Sequence, residues 1–146
     1  MLGLYDSLET KAVLWMREYG IRALRYSIAV VFIWFGFLKV IGFSPAIELV
    51  TQTVYWFDPA WFVPFLGWWE VLIGLCFLWR KAVPVALLLL APQMVGTVIP
   101  LFILPHITWQ GFLLPTMEGQ YIIKNLLIIS GALVVGAHLH DKEELA

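Results

Sequence analysis

Four long apolar stretches dominate the pattern of hydrophobic and polar positions along the chain. They cover residues 21–43, 61–79, 83–104 and 121–138. A helix needs about 20 mostly apolar residues to cross a bilayer. Lys and Arg residues gather before the first stretch, between the second and third, and after the fourth, whereas 44–60 and 105–120 contain neither. Because short loops rich in Lys and Arg stay in the cytoplasm, the pattern predicts an all-α transmembrane four-helix bundle with both termini inside.

Two further helices are predicted outside the spans. Residues 4–19 place apolar side chains at helical spacing, which indicates an amphipathic helix on the inner membrane surface. In the first outer loop, Ser44 and Pro45 resemble an N-cap and a first helical position. A short helix is therefore expected from there to about Trp56, lying on the outer face before the break at Asp58-Pro59.

The composition excludes several classes of protein. The chain is 62% hydrophobic and only 13% charged, whereas a soluble domain is about one quarter charged. We expect one membrane domain over residues 1–146, with its first apolar stretch acting as an uncleaved signal-anchor. A net charge of −1 gives no reason to expect nucleic acid as a partner. The single cysteine, Cys76, excludes an intrachain disulfide, a CxxC redox pair and a multi-cysteine metal site.

A few polar residues fall inside the apolar stretches. An ionisable side chain that faces lipid costs several kcal/mol, so these residues are expected to face inward and form a polar cluster: Lys39, Glu70, Gln93, Lys124 and Asn125. Glycines occur on the same predicted faces and allow helices to approach closely: Gly36, Gly67, Gly74, Gly96, Gly131 and Gly136. Polar residues at the outer rim could compete for the lysines or border the site: Glu48, Glu118 and Tyr121.

The polar cluster has two competing interpretations from sequence. In the structural one, the lysines extend to the outer headgroups and Glu70 is protonated or hydrogen-bonded to Gln93. In the functional one, the cluster forms a pocket that opens to the outer side and binds an anion, a quinone headgroup or a proton in transit. Contact with a partner subunit is a third alternative. His138 and His140 are interpreted as solvated tail residues, and no metal site is predicted.

Three motifs, together with the four-span layout, resemble the DoxX-like family of small bacterial membrane proteins. They are FGFLK (Phe35–Lys39), LGWWEVLIGL (Leu66–Leu75) and PTMEGQYIIKN (Pro115–Asn125). The resemblance covers about residues 22–138. It implies a four-helix bundle in the bacterial cytoplasmic membrane. Some members of this family are subunits of thiosulfate:quinone oxidoreductase, others are linked to oxidative-stress complexes, and many have no assigned activity. The resemblance also draws attention to Gly119 in the last motif.

These observations predict a non-catalytic accessory subunit of a larger, redox-related bacterial membrane complex. The partners would be the bilayer and either other membrane subunits or further copies of this chain. One alternative is a quinone-binding oxidoreductase subunit, in which Lys39 or Lys124 holds a quinone oxygen and Glu70 exchanges the proton. Another is a small-solute or proton transporter built around Glu70, Gln93 and a proline-kinked third span. No intrinsic cofactor is expected, and quinone is the one candidate ligand.

Overall fold

The computed structural model describes the backbone of residues 2–144 and the side chains of residues 8–139. Within these limits, four helices are long and apolar enough to cross a membrane: Leu8–Val40, Pro59–Leu78, Arg80–Ile103 and Met117–Leu139. This confirms the prediction of a mostly helical, multi-pass chain with four candidate spans.

The helices are α1 (Leu2–Val40), α2 (Ile47–Thr53), α3 (Pro59–Leu78), α4 (Val83–Val98), α5 (Pro100–Ile103), α6 (Pro105–Thr108) and α7 (Met117–Glu144). A single turn of 3-10 helix (Arg80–Ala82) joins α3 to α4. A small antiparallel hairpin of β1 (Trp109–Gly111) and β2 (Leu114–Pro115) precedes α7. The end of the bundle that carries residues 41–58 and 99–116 is called the loop end, and the opposite end the terminal end.

The first helix differs from the sequence prediction. Residues 4–19 do not form a separate interfacial helix, because α1 runs without interruption for 39 residues from Leu2 to Val40. Gly20 lies between the two predicted segments and has a low helix propensity. One glycine costs a helix about 1 kcal/mol, which is too little to end it. The helix ends instead at Val40, and Gly42 follows it with a φ of +77° that suits glycine, while Phe43 donates its backbone N–H to the Leu38 carbonyl.

The short helix in the first long loop is present but shorter than predicted. The Ser44 hydroxyl accepts the backbone N–H of Ala46 at 3.3 Å, so it caps the turn before α2 rather than α2 itself. At the start of α3, the Asp58 carboxylate accepts the backbone N–H of Ala60 at 2.9 Å, and Pro59 occupies the first helical position.

Prolines divide the third predicted span and shape the loop that follows it. Pro92 is accommodated inside α4, whereas Pro100 begins a new helix after Val98. Pro105 cannot donate a hydrogen bond to the carbonyl of Leu101, four residues earlier. The indole N–H of Trp109 donates to that carbonyl instead, at 3.0 Å. This bond ties the unpredicted hairpin to the end of α5.

The apolar core lies toward the terminal end of the bundle. Its largest fully buried side chains come from α3, α4 and α7, and include Phe77, Ile73, Val83 and Val135. Ile28 and Phe32 of α1 complete this packing. The buried Lys39 and Glu70 and the half-buried Gln93 lie on the other side of this core, toward the loop end.

Candidate functional site

Lys39 and Glu70 form a buried ion pair where α1 crosses α3. The Lys39 Nζ atom lies 2.6 Å from Glu70 Oε2, and each residue is only 7% exposed. Lys39 lies in the last turn of α1, and Glu70 lies near the middle of α3. Because each side chain supplies the opposite charge that the other needs, neither has to face lipid unpaired.

Gln93 of α4 joins this pair from the third side. Its amide Nε2 donates to Glu70 Oε1 at 2.7 Å, so both carboxylate oxygens of Glu70 accept a hydrogen bond. The structure therefore brings together three of the five residues that the sequence predicted in one polar cluster. Lys39, Glu70 and Gln93 form the Lys–Glu–Gln cluster.

Two glycines allow the ion pair to form. At Gly36, an added Cβ atom would lie 2.6 Å from the Gly67 carbonyl oxygen and 2.8 Å from the Val71 backbone nitrogen. At Gly67, it would lie 2.6 Å from the Gly36 carbonyl oxygen. The backbones of α1 and α3 thus meet through glycine, as close helix packing in membranes requires. Lys39 follows Gly36 by three residues and Glu70 follows Gly67 by three, so this crossing sets the position of the pair.

The other predicted glycines have different surroundings. Gly74 extends the crossing, because its Cβ would lie 2.7 Å from the Ala29 carbonyl oxygen. Gly131 and Gly136 of α7 pack against the side chains of Leu24 and Leu87. A Cβ at Gly96 would have no atom within 4 Å. Gly96 therefore takes no part in helix packing in this chain.

A cavity of about 470 Å³ adjoins the Lys–Glu–Gln cluster toward the loop end. Its walls are mostly apolar and come from α2, α3 and α4, with Pro100 and Ile122 at the side. The cluster supplies the charged and amide groups of the lining. This volume lies within the range of about 300–1,000 Å³ of ordinary small-molecule sites, which combine apolar walls with a few placed polar groups.

The cavity offers both donors and acceptors to a ligand. An ammonium group has three N–H donors, and Lys39 uses one of them on Glu70. The Gln93 amide oxygen and the Thr53 and Thr97 hydroxyl oxygens can accept, since both hydroxyl protons go to backbone carbonyls one turn earlier. The charges of Lys39 and Glu70 cancel within the pair. The arrangement therefore suits an uncharged polar group better than a free anion or cation.

Lys124 and Asn125 lie apart from the cluster, contrary to the sequence prediction. Lys124 is exposed, and its Nζ atom lies 5.2 Å from the ring centroid of Tyr121, one turn closer to the loop end. Asn125 is half-buried and does not line the cavity. A long lysine side chain near a helix end can reach the headgroup region by itself, so inward placement was not required at this position.

The predicted rim residues are also outside the cavity. Glu48 is exposed on α2, where it accepts a hydrogen bond from Gln52 at 3.3 Å. Glu118 and Tyr121 are exposed at the start of α7. Gly119 is buried against the Thr108 carbonyl oxygen, where no side chain would fit. The last motif therefore contributes its glycine to packing and its polar side chains to the surface.

Sequence reasoning missed the contribution of α2 to the cavity. Ala46, Leu49, Val50 and Thr53 all line it, and their spacing of three and four residues is that of one helix face. That stripe could have indicated an inward-facing side. Trp69 was also missed as a site residue, although it lines the cavity and its indole N–H donates to the Leu89 carbonyl of α4 at 3.2 Å.

No group of three or more His, Cys, Asp or Glu residues that could hold a metal ion occurs among residues whose placement is described. The side chain of His140 lies outside that range, so the interpretation of His138 and His140 as tail residues stays a prediction. No protein-family model, no curated protein and no solved structure matches this chain. The similarity to the DoxX-like family therefore rests on the three motifs.

Proposed function

We propose that this chain is a membrane protein that binds a small lipophilic molecule with an uncharged polar head, of the quinone class, in the cavity beside the Lys–Glu–Gln cluster. The observation that carries this proposal is the placement of a buried Lys39–Glu70 pair in the wall of a mostly apolar cavity. An ion pair needed only for stability would gain nothing from an adjoining cavity. A ligand site, in contrast, needs both a cavity and polar groups that hold the ligand.

The head of a quinone suits the donors and acceptors of the cavity. A quinone carbonyl can accept one of the remaining N–H groups of Lys39, and a quinol hydroxyl can donate to the Gln93 amide oxygen. Phe62, Phe65 and Trp69 supply aromatic surface beside that position, with ring centroids of Phe65 and Trp69 6.1 Å apart. Aromatic side chains of this kind pack well against a flat ring.

Replacing Gln93 by leucine should weaken binding of a decyl-substituted benzoquinone by about three- to tenfold, the effect of one hydrogen bond. The measurement is a calorimetric titration of the chain in lipid nanodiscs. Asn125→Leu is the matched control, because it removes the same amide from outside the cavity and should leave the affinity unchanged. Absence of saturable binding to the unmodified chain would reject the proposal, as would equal affinity in the two variants.

A pathway across the membrane receives no support from the fold. The fully buried Phe77, Ile73 and Val135 lie between the cavity and the terminal end. Tight packing of this kind leaves no room for a solute to pass. The site is therefore better interpreted as a pocket with one closed end than as part of a transport route.

We also propose that the chain acts as a non-catalytic subunit of a larger bacterial complex in the cytoplasmic membrane. Gln120, Tyr121 and Lys124 are exposed together at the loop end of α7. A carboxylate of a partner subunit could pair with Lys124 there, where an opposite charge would lower the cost of placing lysine near lipid. The resemblance to DoxX-like proteins supports the same role.

Purification in mild detergent through a protease-cleavable C-terminal tag should recover one stoichiometric membrane partner. The Lys124→Glu variant should no longer recover this partner. Recovery of the unmodified chain alone would contradict the subunit proposal.

The same tag tests the orientation. Added protease should remove the tag from inside-out vesicles of the cytoplasmic membrane but not from intact spheroplasts, because both termini are proposed to be cytoplasmic. Cleavage in spheroplasts would contradict the proposed orientation.

A further inference from the structure

We infer that the cavity opens sideways into the bilayer between α3 and α4, and that Gly96 is the residue that keeps this opening wide enough for a ligand. The inference rests on the proposed function for the identity of the ligand. It goes beyond that proposal in assigning the route of access and a residue that determines which molecules fit.

The exposed part of the cavity lining marks the position of the opening. Of the residues that line the cavity, Phe65 on α3 and Pro92 and Gly96 on α4 are exposed, whereas the others are buried or half-buried. Phe65 is 50% exposed and lies one helical turn from the exposed Trp61 and Trp68, so it belongs to the outward face of α3. The mouth therefore lies between the outward faces of two candidate spans.

The loop end of the cavity is covered. Helix α2 lies across it and contributes Leu49, Val50 and Thr53 to the lining. Thr53 is only 5% exposed, and the other two are half-buried. A water-soluble ligand approaching from the loop end would therefore meet α2, whereas a molecule dissolved among the acyl chains would meet the open side.

The depth of the mouth agrees with access from lipid. Pro92 and Gly96 lie well inside the candidate span Arg80–Ile103. At about 1.5 Å per residue, Gly96 is roughly 10 Å from the end of that span nearest the loops. A ligand whose head reaches the Lys–Glu–Gln cluster could thus leave an apolar tail in the mouth, surrounded by lipid.

Gly96 sets the width of the mouth because it lacks a side chain. Its position is open space, with nothing within 4 Å of an added Cβ atom. Helices lose about 1 kcal/mol for a glycine relative to alanine, and here no close helix contact requires one. A bulky residue at this position can occupy the mouth without displacing any backbone.

The test labels residue 96 and measures which medium reaches it. A nitroxide is attached to Gly96→Cys in a Cys76→Ser background, and the chain is reconstituted in liposomes. Collision rates are measured with oxygen, which concentrates in the acyl chains, and with a nickel chelate, which stays in water. The inference expects frequent oxygen collisions and few nickel collisions. The nitroxide itself fills the mouth, so both collision rates are measured without quinone.

Val95→Cys is the matched control, because Val95 is exposed on α4 one residue away but does not line the cavity. Its collisions should be of the lipid type, which gives the reference rates for a lipid-facing residue of α4. Frequent nickel collisions at residue 96 would overturn lateral access, and so would low rates with both reagents. Lipid-type collisions at residue 96, together with no quinone binding to the unmodified chain, would retain lateral access but reject quinone as the ligand, which separates the two proposals.

A second variant tests the role of Gly96 directly. Gly96→Phe should reduce quinone affinity at least tenfold by filling the mouth, while Gly96→Ala should retain affinity within twofold. Both variants should unfold at no lower detergent concentration than the unmodified chain. Unchanged affinity of a stably folded Gly96→Phe protein would overturn the assignment of Gly96.

Discussion

Replacing Glu70 by alanine should lower the free energy of unfolding by about 3–5 kcal/mol, because removing one partner of a buried ion pair leaves the other charge uncompensated. The ammonium of Lys39 lies in the interior of the bundle, where the residue is 7% exposed, and it is 2.6 Å from the Glu70 carboxylate. Gln93 would lose its acceptor in the same substitution. Unfolding in mixed micelles by increasing fractions of dodecyl sulfate, followed by circular dichroism, measures the loss.

The double variant Lys39→Met with Glu70→Leu separates charge from packing. It removes both charges and keeps most of the volume, so it should regain at least half of the stability that Glu70→Ala loses. Glu118→Ala is the control, since Glu118 is exposed and should change the unfolding free energy by less than about 0.5 kcal/mol. A double variant no more stable than Glu70→Ala would show that the pair does not act through charge compensation.

Replacing Gly36 by alanine should cost about 1–3 kcal/mol through overpacking. The added methyl group would meet the carbonyl oxygen of Gly67 at 2.6 Å and the backbone nitrogen of Val71 at 2.8 Å. Backbone atoms cannot rotate away, so α1 and α3 must move apart. The same unfolding titration measures the change, and quinone affinity should fall with it, because the Lys39–Glu70 pair depends on this crossing.

Gly20→Ala provides the comparison within the same helix. Nothing lies within 4 Å of a Cβ atom there, so the substitution should raise stability by about 0.5–1 kcal/mol through the better helix propensity of alanine. A Gly36→Ala protein as stable as Gly20→Ala would mean that α1 and α3 do not approach as closely as the structure describes.

The spans could be predicted because lipid imposes a simple rule on length and polarity. Each backbone group must be satisfied within its own helix, so an apolar stretch of sufficient length has few alternatives. The points at which a helix ends are harder to predict. Whether a helix ends at Gly20 or at Pro100 depends on a difference of one or a few kcal/mol. The sequence pattern placed a boundary near Gly20, where α1 is continuous, and a kink in the third span, where a new helix begins at Pro100.

The Lys39–Glu70 pair was within reach of sequence reasoning because each residue follows a glycine by three positions. Small residues identify the face that packs, and the charged residue on that face must then be paired. Lys124 shares a face with Gly131 but lies near a helix end, where its own length allows it to reach a polar environment. A lysine in a span can therefore either be paired inside the bundle or extend to the headgroups, and only tertiary packing determines which.

The cavity could not be predicted from the motifs. It depends on how α2 lies across α3 and α5, and the contacts between α2 and α5 join segments far apart in the sequence. Its volume arises from the absence of side-chain atoms, which no pattern of residue types records. The apolar face of α2 was visible in the sequence, but the surface that it would cover was not.

The continuity of α1 makes residues 8–20 and Lys39 parts of one stiff rod. At about 1.5 Å per residue, its 39 residues measure roughly 58 Å, about twice the thickness of the hydrocarbon layer. The side chains from residue 8 to residue 20 are exposed. A protein or membrane surface that binds residues 8–20 is therefore connected through one continuous helix to Lys39, whose ammonium group lines the cavity. A tilt of this helix at one end would move the ammonium group at the other.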